Sequence, residues 1–233
     1  MSAAGPVLLI FLVIVVGLLF FYAQYAAQQK RRQAFMLLAT KLGLRYDIQD
    51  PFDTPNLPFD LFSRGDRRQA ENVLSGDAAG MRVRLFDYTY VIYSTDGQGH
   101  STSSTYRFSC ATGELDADCP HLVIEREGVM SSLARHLGFH DIEFESGEFN
   151  RAFKVHSDDK KFAYALLDGQ MMQWLLDEGG ICRYEVIGSL TLCYTDRVKP
   201  EEYGNLLEVL HRFHAHVPAV LSSLYPRGKE ARA

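Results

Sequence analysis

The chain has 233 residues, enough for one domain of ordinary size and a short additional segment. Apolar residues make up 47% and charged residues 23%, values typical of a globular protein with a hydrophobic core. The formal net charge is −5, and only Lys30, Arg31, Arg32 and Lys41 are charged before Arg45. The remaining 20 basic and 29 acidic side chains carry −9. That balance offers no positive field to a polyanion, so no nucleic-acid partner is expected.

The N-terminal segment, residues 1–29, contains no charged side chain. Fourteen of the residues from Val7 to Phe21 are Leu, Ile, Val or Phe. A helix over residues 6–27 would rise about 33 Å, enough for a hydrocarbon core of about 30 Å. A cleaved signal peptide would carry basic residues ahead of a shorter apolar run, and a buried core helix would show a polar face. The sequence therefore predicts a transmembrane helix over about 6–27.

The basic residues Lys30, Arg31 and Arg32 follow the apolar segment directly, and none precedes it. The positive-inside rule places such a cluster in the cytoplasm. We therefore predict a single-pass protein of the cell membrane with its N-terminus outside and its domain cytoplasmic. The three basic side chains are also the candidate ligands for anionic lipid headgroups. The four cysteines form no CxxC pair and are expected to be thiols in that compartment.

Residues 30–43 contain helix formers up to a capping glycine, Gly43, and predict a basic juxtamembrane helix. Prolines and phenylalanines are interleaved in the next segment, so we predict that residues 44–70 form an irregular connector packed on the domain. The soluble domain is expected at 71–226, and residues 227–233 form a predicted disordered tail.

The first half of the domain is predicted to be rich in strands. Residues 81–93 alternate between two faces, one of which carries Phe86, Tyr88 and Tyr90. The sequence GDAAG at 76–80 predicts a turn from a short strand at 72–74 into this one. A polar loop is predicted at 94–105, followed by strands within 105–115 and 121–127.

The second half mixes helices and strands. The predictions are a short helix at 129–138, strands at 141–146 and 149–157, one helix at 158–178 capped by Ser157, a hairpin turning at 188–189, and an amphipathic helix that begins at Pro200 and is kinked at Pro218. The sum is an α+β fold: an N-terminal transmembrane helix followed by an antiparallel β-sheet domain with helices packed on one face, including the long C-terminal amphipathic helix.

Three groups of side chains resemble functional sites. His211 and His214 share a helix face but lack an acidic partner, so they indicate a polar face rather than a metal site. Asp141, Glu143, Glu145 and Glu148 form an acidic run whose alternation with apolar residues is typical of the solvent side of a strand. Cys119 lies two positions before His121, which could activate a thiol, but no other feature supports it. No nucleophile elbow, P-loop or dinucleotide motif is present, so no catalytic residue, cofactor or metal is predicted.

The stretch FNRAFKVHSDDKKFAYALLDGQMMQWLLD at 149–177, together with FSRGDRRQAENVLSG, FDYTY, CPHLVIERE and DIEFESGEFN, resembles an actinobacterial branch of a bacterial family of membrane proteins of unknown function. The likeness covers most of residues 60–225 and has a similarly placed anchor. It implies a single-pass bacterial membrane protein and provides no established activity, substrate or catalytic residue.

The functional prediction is a cytoplasmic interaction or scaffold domain that binds a protein partner or a lipid headgroup beside the bilayer. Exposure of Phe86, Tyr88 and Tyr90 would mark its binding face. The alternatives are a membrane-tethered enzyme whose residues converge only in the folded chain, and a domain outside the cell. No feature indicates an oligomeric state.

Overall fold

The first element of the fold is one long helix. In the computed structural model, which describes residues 4–78, 80–95, 97, 99, 101–127 and 140–227, helix α1 (Ala4–Leu42) has 39 residues. Its apolar part is long enough to cross a membrane, and no residue in the most apolar stretch of the helix is buried against the domain. This geometry suggests membrane anchoring, as the sequence predicts.

The C-terminal part of α1 packs on the domain through Phe35, Leu38 and Ala39, which are buried. The helix ends as predicted at Gly43, whose φ of +68° lies in the left-handed region. The amide of Leu44 donates to the carbonyl of Ala39 at 3.0 Å, the bond of a Schellman cap. The predicted transmembrane and juxtamembrane helices are therefore one continuous element.

The domain is built on a seven-stranded antiparallel sheet. Its strands are β1 (Arg45–Gln49), β2 (Asp66–Ala78), β3 (Met81–Thr95), β4 (Ser101–Arg126), β5 (His140–Asp141), β6 (Phe153–Ser157) and β7 (Arg183–Asp196). The order is β1-β2-β3-β4-β6-β5, and β7 pairs along the other edge of β4. The 26-residue strand β4 is thus the centre of the sheet.

Two predicted turns differ from the structure. The loop predicted at 94–105 is too long, because β3 runs to Thr95 and β4 starts at Ser101, and Ser94 and Thr95 pair with Thr102 and Ser101 across the hairpin. The predicted hairpin at 188–189 is instead the middle of β7. Gly188 lies there with φ +56° beside a β-bulge, where Pro120 and His121 of β4 oppose Ile187 of β7. The two strands predicted at 105–115 and 121–127 are likewise one strand.

The shorter helices are α2 (Asp60–Ser63), α3 (Gly147–Ala152), α4 (Lys160–Leu166), α5 (Gly169–Asp177), α6 (Tyr203–His216) and α7 (Val220–Leu224). The single helix predicted at 158–178 is two helices, because Asp159 caps α4 and Asp168 caps α5, each accepting from two amides. Ser157 is therefore not the cap. Pro200 begins a short 3-10 turn ahead of α6, and Pro218 separates α6 from α7 instead of only kinking the helix.

The strand predicted at 141–146 is wrong beyond Asp141, and the strand predicted at 149–157 is confirmed over 153–157 only. Strand structure is limited to residues 140–141 and 153–157. Between them Ser146 caps α3 by accepting from the amide of Phe149 at 3.2 Å, and this local cap favours a helical turn. The helix predicted at 129–138 and the tail from residue 228 lie outside the described residues. Arg227, assigned to that tail, is ion-paired with Glu114 at 3.2 Å.

The two faces of the sheet carry separate cores. Helix α1 and helices α4–α7 cover one face, to which β3 contributes Val83 and Leu85. The other face is covered by the segment 50–65, which contains α2 and buries Phe59 and Phe62. The connector is therefore packed, as predicted, but it is shorter than 44–70, because β1 and the start of β2 belong to the sheet. The α+β prediction, with helices on one sheet face, is confirmed.

Candidate membrane-interface site

A buried ion pair joins α1 to the sheet. The Arg31 guanidinium donates to both carboxylate oxygens of Asp87, at 2.7 and 2.5 Å. It also donates to the carbonyl of Val198 at 2.9 Å. Asp87 lies on the β3 face that contacts α1, and its side chain is only 2% exposed. Arg31, which lies shortly after the predicted membrane span, is therefore bonded to the middle of β3.

Three further groups donate to Asp87. They are Arg197 at 3.1 Å, the Tyr203 hydroxyl at 2.8 Å and Asn72 at 3.0 Å. Burial by itself would raise the pKa of Asp87, but the Arg31 hydrogen bonds and the charges of both arginines outweigh it and lower that pKa below its ordinary value. One buried carboxylate thus holds two guanidinium groups, and the network carries one excess positive charge.

A notch of about 570 Å³ lies beside this network, between α1 and the domain. Helix α1 contributes Phe21, Tyr25 and Gln28, and the domain contributes Glu71, Arg107 and Arg197. The side chains therefore change from aromatic to polar to basic across the notch. That gradient matches the boundary between acyl chains and headgroups.

The hairpin of β3 and β4 extends past the notch. Arg31 on α1 contacts Asp87 on β3, and the part of α1 nearer the N-terminus lines the notch together with Arg107. Arg107 pairs with Thr89, which lies two residues beyond Asp87 along β3. Residues 90–95 and 101–106, called the hairpin arm below, continue beyond that point. The arm therefore extends on the side of the domain from which the apolar half of α1 emerges. It is largely exposed and includes Tyr93 and Tyr106.

The three predicted headgroup ligands have different environments. Lys30 is exposed, Arg32 is partly buried, and Arg31 is held by Asp87. Arg31 therefore directs its guanidinium donors to Asp87 and Val198 within the domain, and headgroup binding by the three residues stays a prediction. The sequence did not indicate Arg107 and Arg197, because neither lies in a basic cluster and each reaches the notch only through strand pairing.

The aromatic stripe of β3 is not a binding face. Phe86, Tyr88 and Tyr90 are buried on the face covered by the connector. The Phe62 ring centroid lies 4.6 Å from that of Tyr88 and 6.0 Å from that of Phe86. These residues form core, and the connector, rather than the final helix, covers them.

The predicted histidine pair lines an open hollow of about 630 Å³ together with Met81 and Glu114. Burial and the neighbouring His211 lower the pKa of His214 to about 4. Among the described residues no carboxylate completes a three-ligand set with this pair. Of the acidic run, Glu143, Glu145 and Glu148 are exposed, and the side chain of Asp141 lies outside the described ones.

The cysteines are buried free thiols. Burial, and to a smaller extent Asp118, raises the pKa of Cys119 to about 12, so this thiol is not activated. The β-bulge after Cys119 also separates it from His121, because Cys119 packs in the larger core while His121 points to the other face of the sheet.

The folded chain brings His121 together with Asp60 and Glu185. His121 Nε2 lies 2.8 Å from Glu185 Oε1 and 4.0 Å from Asp60 Oδ2. One oxygen or nitrogen of each residue lies within 4.8 Å of the other two, a spacing that could hold a metal ion. Of the three, only His121 was considered from sequence, and no local motif links positions 60, 121 and 185.

The fold and the site together define a single α+β domain carried on one apolar N-terminal helix. No protein-family model matches the chain, and the search of curated proteins found no match. Among solved structures, the chain is similar to the crystal structure of the mycobacterial trehalose monomycolate transport factor A, TtfA. The TM-score is 0.61 with 13% identity, over 85% of this chain and 96% of that one. At this identity the likeness shows a shared fold, and its mycobacterial source agrees with the actinobacterial resemblance of the sequence.

Proposed function

We propose that the chain is a non-enzymatic accessory factor of a bacterial membrane, whose domain lies against the bilayer and binds an anionic lipid headgroup in the notch. The contact between Arg31 and Asp87 carries the proposal. It bonds the helix leaving the membrane to the sheet through two hydrogen bonds. The domain is thus held at a set position relative to the bilayer and does not swing on a tether.

The charges in the notch favour an anionic group. Arg31 and Arg197 share the single negative charge of Asp87, and Glu71 offsets one further charge. Arg107 is exposed and makes no ion pair with any described residue. Each basic residue near an anionic leaflet contributes about 1 kcal/mol of attraction. Arg107 in the notch and the exposed Lys30 on α1 are therefore the proposed headgroup ligands.

The structural neighbour supports an accessory role in lipid transport. That protein is named as a trehalose monomycolate transport factor. A chain with one apolar helix has no transmembrane bundle in its described part through which to move a lipid. An assisting role beside a transport machinery fits this layout better than transport itself. We extend that class of role to this chain.

The proposal places the domain in the cytoplasm, because Lys30, Arg31 and Arg32 follow the span. Its test uses a new cysteine in the hairpin arm, Ser103→Cys, with the four buried native thiols as a low background. A membrane-impermeant maleimide should label this variant only after the cells are permeabilised. Labelling on intact cells would reverse the orientation.

Headgroup binding is tested by photocrosslinking from position 107. The full chain, with a photoreactive amino acid in place of Arg107, is reconstituted into nanodiscs with and without anionic phospholipid. We expect lipid adducts that increase with the anionic fraction. The matched control is position 154, because Lys154 is exposed on β6 at the opposite end of β4. Equal adducts at the two positions, or none at 107, would reject the headgroup site.

A charge reversal gives the second readout. Arg107→Glu should reduce the preference of the protein for anionic over neutral nanodiscs, whereas Lys154→Glu should not. Crosslinking in native membranes that yields only a protein adduct at position 107 would overturn the lipid assignment in favour of a protein partner.

A further inference from the structure

We propose that Asp60, His121 and Glu185 bind a divalent transition-metal ion of the zinc class. The three residues come from different elements on the connector-covered face of the sheet. Asp60 is the first residue of α2, His121 follows the β-bulge of β4, and Glu185 lies on β7. The proposed site is separate from the notch and does not depend on the proposed lipid function.

The spacing of the ligand atoms fits an ion of this size. Zinc bonds of about 2.0–2.1 Å in tetrahedral geometry place neighbouring ligand atoms about 3.3 Å apart. The Nε2 atom of His121 lies 2.8 Å from Glu185 Oε1 and 4.0 Å from Asp60 Oδ2, so the observed distances bracket that value. The third pair of ligand atoms lies within 4.8 Å, so side-chain shifts of up to about 1 Å would bring the three atoms around one centre.

Two carboxylate oxygens at the cluster accept no hydrogen bond within the described part of the chain. Glu185 Oε2 and Asp60 Oδ2 are both buried and accept no hydrogen bond from any described residue. The Glu185 side chain is only 1% exposed, so water does not readily substitute. A buried carboxylate oxygen without a donor is costly and rare in folded proteins. A cation held by both carboxylate oxygens of Glu185 and by Asp60 Oδ2 would satisfy both of these oxygens.

The charge balance points to a divalent ion. Two carboxylates face one imidazole, and a protonated His121 would neutralise only one of them. The charge of Arg64 also acts on Asp60, but this guanidinium lies 3.6 Å from Glu125, which offsets it. A divalent ion with a neutral imidazole brings the three-residue site to zero net charge. One divalent ion would therefore both balance the charge of the three residues and bind the carboxylate oxygens that accept no hydrogen bond.

The donor set selects the class of metal. One imidazole nitrogen with two carboxylate oxygens suits zinc, manganese or iron(II), whereas calcium and magnesium favour sites made of oxygen and take more ligands. His121 and Asp60 remain 11% and 10% exposed, which gives solvent access to a further coordination position. The ion would also connect α2 to β4 and β7 and so fasten the connector to the sheet.

Asp60→Asn is the informative variant, because asparagine keeps the shape of a side chain whose Oδ2 accepts no hydrogen bond. The full chain in mild detergent is stripped with chelator and titrated with zinc against a chromophoric competitor. We expect one high-affinity zinc ion per wild-type chain, at least tenfold weaker binding in Asp60→Asn, and a zinc-dependent rise in Tm for the wild type alone. His211→Gln, which removes a histidine on α6, is the control. It should change neither the zinc affinity nor the zinc-dependent rise in Tm.

A second comparison separates loss of the ion from loss of the fold. Without zinc, Asp60→Asn should unfold at the same or a higher temperature than the wild type, because it removes a buried charge. Glu185→Gln keeps an acceptor for the Asp60 amide, which donates to Glu185 Oε1 at 2.5 Å, and should lose zinc equally. Wild-type binding no tighter than that of Asp60→Asn, or a loss that appears only in His211→Gln, would overturn the proposal.

Discussion

Replacing Asp87 with asparagine tests whether α1 is fastened to the domain. The variant keeps the shape and one acceptor oxygen but removes the charge that faces Arg31 and Arg197. The Arg31 side chain is 15% exposed, so its guanidinium would remain largely desolvated without a counter-ion. Removing one partner of a buried ion pair costs about 3–5 kcal/mol. The retained oxygen and the greater exposure of Arg197 place the expected loss near the lower end of that range.

The free energy of unfolding is measured on the full chain in mild detergent, by denaturant titration followed by near-ultraviolet circular dichroism. Asp47→Asn is the matched control, because Asp47 pairs at 2.9 Å with an exposed arginine, Arg45. Surface pairs contribute less than about 1 kcal/mol. A double-mutant cycle with Arg31→Met should give a coupling of about 1–3 kcal/mol. A loss for Asp87→Asn no larger than that for Asp47→Asn would refute the reasoning.

The same variant has a defined pH signature. The pKa of Asp87 is lowered in the folded chain from its ordinary value of 3.8. The unfolded chain therefore takes up the proton first as the pH falls. Stability contributed by Asp87 is present above about pH 4 and is lost as the pH falls through the lower folded value. The acid branch of the wild-type stability profile should be steeper than that of Asp87→Asn.

Three further predictions concern the connector, the histidine pair and the thiols. Phe62→Ala should destabilise the chain by about 3–5 kcal/mol because Phe62 is fully buried, whereas Phe52→Ala, at an exposed site, should cost much less in the same assay. The lowered pKa of His214 means that the unfolded imidazole is protonated first, so stability should fall as the pH drops from 6.5 to about 4; His214→Gln should reduce that slope in unfolding titrations. Cys119 should react with iodoacetamide only on unfolding, because burial raises its pKa to about 12; rapid labelling of the native chain would contradict this.

The errors of the sequence-based prediction share one cause. Residues 94–105 and 188–189 carry ordinary turn residues, yet both lie in or beside paired strands. The conformational preference of a turn sequence contributes less free energy than the hydrogen bonds and side-chain contacts that a neighbouring strand supplies. The local sequence does not indicate which strand will be that neighbour. In the same way, Asp168 divides the helix predicted at 158–178, because two adjacent caps outweigh a continuous run of helix formers.

By itself, the sequence determined the features that depend on neighbouring residues. The uncharged N-terminal run indicates an anchor, the alternation in β3 assigns its two faces, and Gly43 ends α1. Each follows from a period of two or 3.6 residues or from the backbone freedom of one glycine. The α+β class follows from the sum of such signals.

Only the tertiary structure decided which charged groups meet. Arg31 lies 56 positions from Asp87, and Asp60 lies 125 positions from Glu185. A one-residue bulge in β4 decides that His121 faces the carboxylates while Cys119 faces the opposite core. A carboxylate has the same local sequence signature whether it is solvated or buried against a guanidinium. Its partner is set by strand register and by the packing of distant segments, which no local pattern encodes.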